Sequence, residues 1–185
     1  MAKGVGRISR PFLIWTIVLA VGGFFIFSSA SLGILAQNEV KFSNLAFNQL
    51  FLGLFFGSIA CIVVSRTNYK IWKKFALIIF IGSIIMTLLV FVPGLGFAHG
   101  GARRWINLKF VTFQPSEFLK IGFVIYFAAW LSAFKQKAET FKWGLLPFFV
   151  FSGILGAVLL TEPDTDTFAV TIFAGLAMYI ASGAK

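Results

Sequence analysis

Long apolar runs separated by short polar breaks dominate the chain. Residues 11–36 carry no charge, and further apolar runs cover 45–65, 75–92, 116–134, 143–160 and 168–182. A helix needs about 20 mostly apolar residues to cross a bilayer core of about 30 Å. Backbone N–H and C=O groups in lipid must be paired within the segment, so such runs predict helices and not open strands. The pattern therefore predicts an all-α polytopic membrane protein: six transmembrane helices in a bundle, forming a single integral membrane domain over 1–185. Gly22-Gly23, Gly53 with Gly57, and Gly153 with Gly156 place small residues inside these runs, where helices pack closely. The 25 phenylalanines read as packing or lipid-facing residues.

Composition agrees. Of 185 residues, 59% are hydrophobic and 12% charged, with a mean hydropathy of +0.93. A soluble domain carries about 25% charged residues. A net charge of +10 raises nucleic acid as a partner, but the cations gather at the ends of the apolar runs, which is how membrane topology is written. Lys3, Arg7, Arg10, Arg66, Lys70, Lys73, Lys74, Lys135, Lys137, Lys142 and Lys185 fall on one side, against Lys41, Arg103, Arg104 and Lys109 on the other. The first side is expected in the cytoplasm, with both chain termini inside. A cleaved signal peptide ending near Ser28-Ser29-Ala30-Ser31 fits less well, because the apolar stretch outlasts an ordinary h-region and more spans follow. Cys61 is the lone cysteine, so no intrachain disulfide forms, and a lone His99 makes no zinc site.

Two polar breaks carry chemistry, and both are expected on the outer face. Gly100 to Lys120 reads as a loop with Arg103, Arg104 and Lys109, after which Pro115-Ser116-Glu117 opens a helix. Glu117 and Lys120, three apart, share one helix face. A charge at the bilayer centre costs about 2.5–3.5 kcal/mol on insertion scales, so a rim pair calls for a reason. The second break, Thr161 to Thr167, holds Glu162, Asp164 and Asp166. Structural roles account for each residue singly: Ser116 as N-cap, Glu117 against the helix dipole, Lys120 snorkelling, the arginines on headgroups, and the acidic turn as a capped turn. Taken together they suit a bulky anionic ligand of the outer leaflet, since adjacent arginines match phosphate or pyrophosphate. The carboxylates suit a divalent cation such as Mg2+, or a sugar hydroxyl.

Gly101-Ala102-Arg103-Arg104-Trp105-Ile106 and Phe113-Gln114-Pro115-Ser116-Glu117-Phe118-Leu119-Lys120 together resemble the signature of the SEDS family (shape, elongation, division and sporulation; FtsW/RodA/SpoVE). Glu162-Pro163-Asp164 with Thr167, and Gly175-Leu176-Ala177-Met178, fit the same family. Pro93-Gly94-Leu95-Gly96 and Ser28-Ser29-Ala30-Ser31 are closer to its division branch than to its elongation branch. The resemblance implies a peptidoglycan glycosyltransferase of cell division. Such a protein polymerises lipid II at the outer face of the bacterial cytoplasmic (inner) membrane and releases undecaprenyl pyrophosphate. It implies a class B penicillin-binding protein and other divisome proteins as partners, and no nucleic acid. It assigns substrate binding to Arg103, Arg104, Gln114, Ser116, Glu117, Lys120, Glu162 and Asp164. A lipid II flippase and a non-catalytic divisome scaffold are the rival readings. Lys109 and Asp166 stand where the family has glycine. The family has about ten spans, and its presumed basic aspartate follows the seventh. The expectation is therefore an incomplete, N-terminal part of the SEDS fold, inactive alone, with its catalytic base beyond Lys185.

Overall fold

The computed structural model describes residues 10–35, 53, 55–99, 102–107, 112–137 and 140–183. Lys3, Arg7, Glu39, Lys41, Gly100, Gly101, Lys109, Glu139 and Lys185 lie outside the described residues, as does most of the first half of the 45–65 run. The chain divides into two compact units, Met1–Asn68 and Tyr69–Lys185. The first contains α1 (Arg10–Leu35) and α2 (Phe56–Arg66). The second contains α3 (Tyr69–Leu88), β1 (Gly96–His99), β2 (Ala102–Asn107), β3 (Thr112–Phe113), α4 (Pro115–Ala133), α5 (Leu146–Thr161) and α6 (Thr165–Ala181).

The described structure is predominantly helical, as the apolar runs predict. Among the described residues, three helical stretches are long and apolar enough to cross a membrane: Tyr69–Phe91, Pro115–Ala133 and Phe141–Thr161. Leu13–Ser29, Phe56–Arg66 and Thr165–Ala181 are shorter apolar helices. Two local expectations change. The basic segment after Arg66 is only briefly a turn, at Thr67 and Asn68. Lys70, Lys73 and Lys74 already belong to α3, because lysine is a good helix former and its long stem keeps the charge at the rim. The segment read as a loop from Gly100 instead supplies two strands, β2 and β3, which join β1 just before it in a three-stranded antiparallel sheet of order β1-β2-β3.

In the second unit, α4 is the stem. Leu119, Phe123, Phe127 and Leu131 recur every four residues on it, and all are buried. They meet Phe80 of α3 and Phe148, Leu155, Val158 and Leu159 of α5. Phe118 and Ile121, on the other side of α4, are exposed. Lipid is as apolar as these side chains, so close packing and not expulsion of water favours the bundle. Two glycines permit that closeness. A Cβ at Gly122 would lie 2.5 Å from Ser83 Oγ and 3.3 Å from Phe80 Cα; one at Gly175 would lie 2.9 Å from the Phe123 and Phe148 rings. The glycine pairs singled out in the sequence behave unevenly. Gly156 abuts the Phe168 ring at 3.3 Å, whereas Gly57 and Gly153 have nothing within 4 Å.

A clasp at the mouth of the helix bundle

β2 brings the two arginines to the mouth of α4 and aims them differently. In the β1–β2 ladder, Phe97 pairs with Trp105 and Ala98 with Arg103, so Arg104 is the extra residue of a bulge. A bulge re-aims the side chain it carries. Arg103 is exposed, while Arg104 turns to the α5–α6 turn. There its Nε donates to the Glu162 carbonyl at 3.1 Å, Nη2 donates to the Pro163 carbonyl, and Nη1 lies 3.7 Å from Asp164 Oδ1. Ala102 and Ile106 of the same strand are buried, which fixes the sheet against the bundle.

Asp164 is the centre of this clasp. It is 2% exposed and caps α6, its Oδ1 accepting from the Thr167 N–H at 3.4 Å. Gln114 Nε2 and Ser116 Oγ both donate to Oδ2 at 2.8 Å. One carboxylate thus ties together β2, the start of α4 and the start of α6. The capped-turn reading of Asp164 holds, since the same carboxylate caps α6 and receives Gln114 and Ser116. Ser116 corrects an expectation: Gln114 occupies the N-cap of α4 and Pro115 follows it, which places Ser116 inside the first turn. A hydroxyl there is free to point away from its own helix end, and it donates to Asp164.

Glu162 ends α5 in the same turn. It is 1% exposed, and neither carboxyl oxygen has a hydrogen-bond partner. Burial, reinforced by the nearby Asp164 charge and opposed by Arg104, pushes its carboxyl up to about 8. The acidic turn does not fit a divalent cation such as Mg2+. Both Asp164 oxygens are already taken by donors, Glu162 is sealed from solvent, and the described residues contain no group of three or more His, Cys, Asp or Glu side chains. Asp166 is exposed in the first turn of α6, where the helix dipole favours a negative charge.

Glu117 and Lys120 stand apart from the clasp. Lys120 Nζ donates to Glu117 Oε1 at 2.8 Å, and the side chains are 28% and 55% exposed respectively. The eight residues singled out in the sequence therefore separate into two sets. Arg104, Gln114, Ser116, Glu162 and Asp164 meet in the clasp, while Arg103 and Glu117 are exposed and the half-buried Lys120 pairs with Glu117 outside it. Sequence reasoning missed Thr167 as the capped amide and the bulge at Arg104. The Asp-x-x-Thr spacing ahead of an apolar run was a signal for the first. Gly100-Gly101 between two short runs was a hairpin signal.

The family model for cell cycle proteins of the FtsW/RodA/SpoVE type matches residues 9–185. The chain belongs to this family. A probable peptidoglycan glycosyltransferase FtsW from Geobacter sp. strain M18 is 36% identical over 129 residues, covering 70% of this chain and 35% of the relative. The protein of the same description from Geobacter sulfurreducens strain DL-1 / KN400 is 31% identical over 185 residues, covering 99% and 49%. Stage V sporulation protein E of Bacillus subtilis is 26% identical, covering 94% and 47%. The chain thus spans between about a third and a half of these relatives. The crystal structure of the rod shape determining protein RodA from Thermus thermophilus superposes with a TM-score of 0.71 at 22% identity, covering 92% of this chain and 54% of that one. A chain from a peptidoglycan synthase complex that coordinates polymerization and crosslinking gives 0.67 at 23%, covering 88% and 45%. These two likenesses show the fold. With its apolar helices, the chain is a multi-pass membrane member of the FtsW/RodA/SpoVE family.

Proposed function

We propose that this chain forms the pyrophosphate-docking part of a peptidoglycan glycosyltransferase of cell division, acting on lipid II at the outer face of the cytoplasmic membrane. In this reading the six apolar runs are spans of one membrane domain with its N-terminus inside, the first part of a roughly ten-helix SEDS fold. The observation that carries the reading is the separation of charges at the bundle mouth. Arg103 and Glu117 stay exposed and Lys120 half-buried beside a clasp in which Arg104, Gln114 and Ser116 are committed to Asp164. A guanidinium and an ammonium on a water-accessible rim match a diphosphate anchored in the outer leaflet. During glycosyl transfer the same cations would stabilise the departing undecaprenyl pyrophosphate. Arg104, Gln114, Ser116, Glu162 and Asp164 would act on substrate through the shape they hold. The general base that takes the proton of the attacking hydroxyl is assigned to none of the carboxylates described. The partner in this reading is a class B penicillin-binding protein within the divisome, a choice supported by the family and by the likeness to a chain of a peptidoglycan synthase complex.

The test is binding of lipid II to the chain in lipid nanodiscs, with undecaprenol as the phosphate-free control. Arg103→Glu and Lys120→Glu should each weaken lipid II binding about tenfold, equivalent to about 1.4 kcal/mol, and leave undecaprenol unaffected. Unchanged lipid II binding in both variants would overturn the docking role. Translocation of lipid II across proteoliposomes without strand formation would favour a transporter instead.

A further inference from the structure

Glu162 is a buried acid to which the docking reading gives no direct contact. It lies where α5 ends, 1% exposed, with both carboxyl oxygens lacking a donor. Its backbone carbonyl, by contrast, is gripped by Arg104 Nε at 3.1 Å. A carboxylate stripped of water and donors is strongly disfavoured, and such a group takes up a proton instead. The charged groups facing it among the described residues are Asp164, two positions on in the same turn, and Arg104 from β2. At this cluster α4 contributes the uncharged Gln114 and Ser116, and both already donate to Asp164. Burial first and the Asp164 charge second raise the carboxyl to about 8, against the pull of Arg104.

We propose that Glu162 is a proton-operated latch: it is a neutral acid while Arg104 grips the α5–α6 turn, and loss of its proton to water releases that grip. The geometry supplies the reason. Ionisation leaves a second negative charge beside Asp164, and the new carboxylate needs donors. Gln114 and Ser116 are committed to Asp164, and the Arg104 guanidinium to Asp164 and to the Glu162 and Pro163 carbonyls. The ionised side chain must therefore either draw Arg104 away from Asp164 or swing into solvent. Both movements part β2 from the turn. Release would also shift Arg103, the neighbour of Arg104, with respect to Glu117 and Lys120. Only that last consequence rests on the docking reading.

The direction with pH follows from linkage. The closed state holds this proton to higher pH than an open, hydrated glutamate does. Its contribution to closure is full below the ordinary carboxylate range and is lost as pH rises through about 8. The opening constant should climb about tenfold per pH unit from about pH 5 to about pH 8 and level off above that.

Amide hydrogen exchange along β2, measured on the full chain in nanodiscs and corrected for the intrinsic exchange rate, reads this opening. Between about pH 5.5 and 7.5 the open fraction should rise about 50- to 100-fold. Glu162→Gln, isosteric and permanently uncharged, should stay flat over the same range. Glu162→Met should do the same, and it serves if the amide variant folds poorly. At pH 6 the infrared spectrum should show a carboxylic-acid carbonyl band that Glu162→Gln lacks. Equal pH profiles in the unmodified protein and both variants, or no such band, would overturn the latch. Lipid II binding left unchanged by Arg103→Glu and Lys120→Glu, with an intact pH profile, would sink the docking reading and leave the latch standing.

Discussion

The two ends of α4 hold charge in opposite ways. At its start, Asp164 is enclosed and, with the half-buried Arg104, bonded to backbone and side-chain partners from three elements. At its far end, cations rest against rings. Lys137 Nζ and Lys142 Nζ lie 5.4 and 5.8 Å from the Trp143 ring centroid. Trp143 stacks on Phe134 at 4.5 Å and on Trp130 at 6.3 Å, and Trp130 Nε1 donates to the Trp143 carbonyl at 3.2 Å. Lys73 Nζ reaches from α3 to Ser132 Oγ at 3.1 Å. Lysine and tryptophan here make an interface belt whose charges keep their water. What differs between the ends is desolvation, not the supply of charged residues. A charge out of water must be matched group by group, whereas a hydrated one needs only a favourable neighbour.

Substitutions can break this contrast, and the largest effect belongs to the enclosed end. Asp164→Ala leaves Gln114, Ser116 and the Thr167 amide without their acceptor and Arg104 without its counter-charge. It should lower stability by about 3 kcal/mol or more, read as a large drop in thermal midpoint in detergent. A loss under about 1 kcal/mol would mean that the clasp is no more than a surface contact.

The stem between the two ends should respond less. Gly122→Ala and Gly175→Ala push a methyl group against Ser83 and the Phe80 backbone, or against two rings, and should cost about 1–3 kcal/mol each. Gly153→Ala meets nothing within 4 Å, so it should be neutral or gain up to about 1 kcal/mol from helix propensity. Denaturation of the three variants side by side checks the order. The smallest effects belong to the hydrated charges. Lys142→Ala removes one cation from the Trp143 face and Glu117→Gln loosens one exposed pair; each should change stability by about 1 kcal/mol or less. If Glu117→Gln also weakens lipid II binding, the pair serves the ligand and not the fold, which sharpens the contrast between the clasp and its exposed neighbours.

The helical character of the chain was legible because lipid reduces the problem to one rule. A long uncharged run must close its own backbone hydrogen bonds, and only a helix does so within one segment. That rule found the segments of α1, α3, α4, α5 and α6 directly. The family was legible from two short motifs, since Gly101 to Ile106 and Phe113 to Lys120 combine residue types that few membrane loops bring together. The same logic does not reach the mouth of the bundle. Its backbone lies outside the apolar runs, where water or strand pairing can satisfy it equally well, and so a sheet stood where a loop was expected.

What the sequence determined by itself is therefore the apolar period, the placing of charge at the ends of helices, and which residues are chemically able to act. Tertiary structure alone decided which of them are enclosed. Arg103 and Arg104 are adjacent and identical in kind, yet a single unpaired position in β2 leaves one in solvent and sends the other to Asp164. Glu162 and Glu117 are likewise both carboxylates near helix ends, and one is sealed while the other is open. Burial depends on what other segments bring to the same place, and hydrogen-bond partners about fifty residues apart, such as Gln114 and Asp164, leave no trace in local pattern.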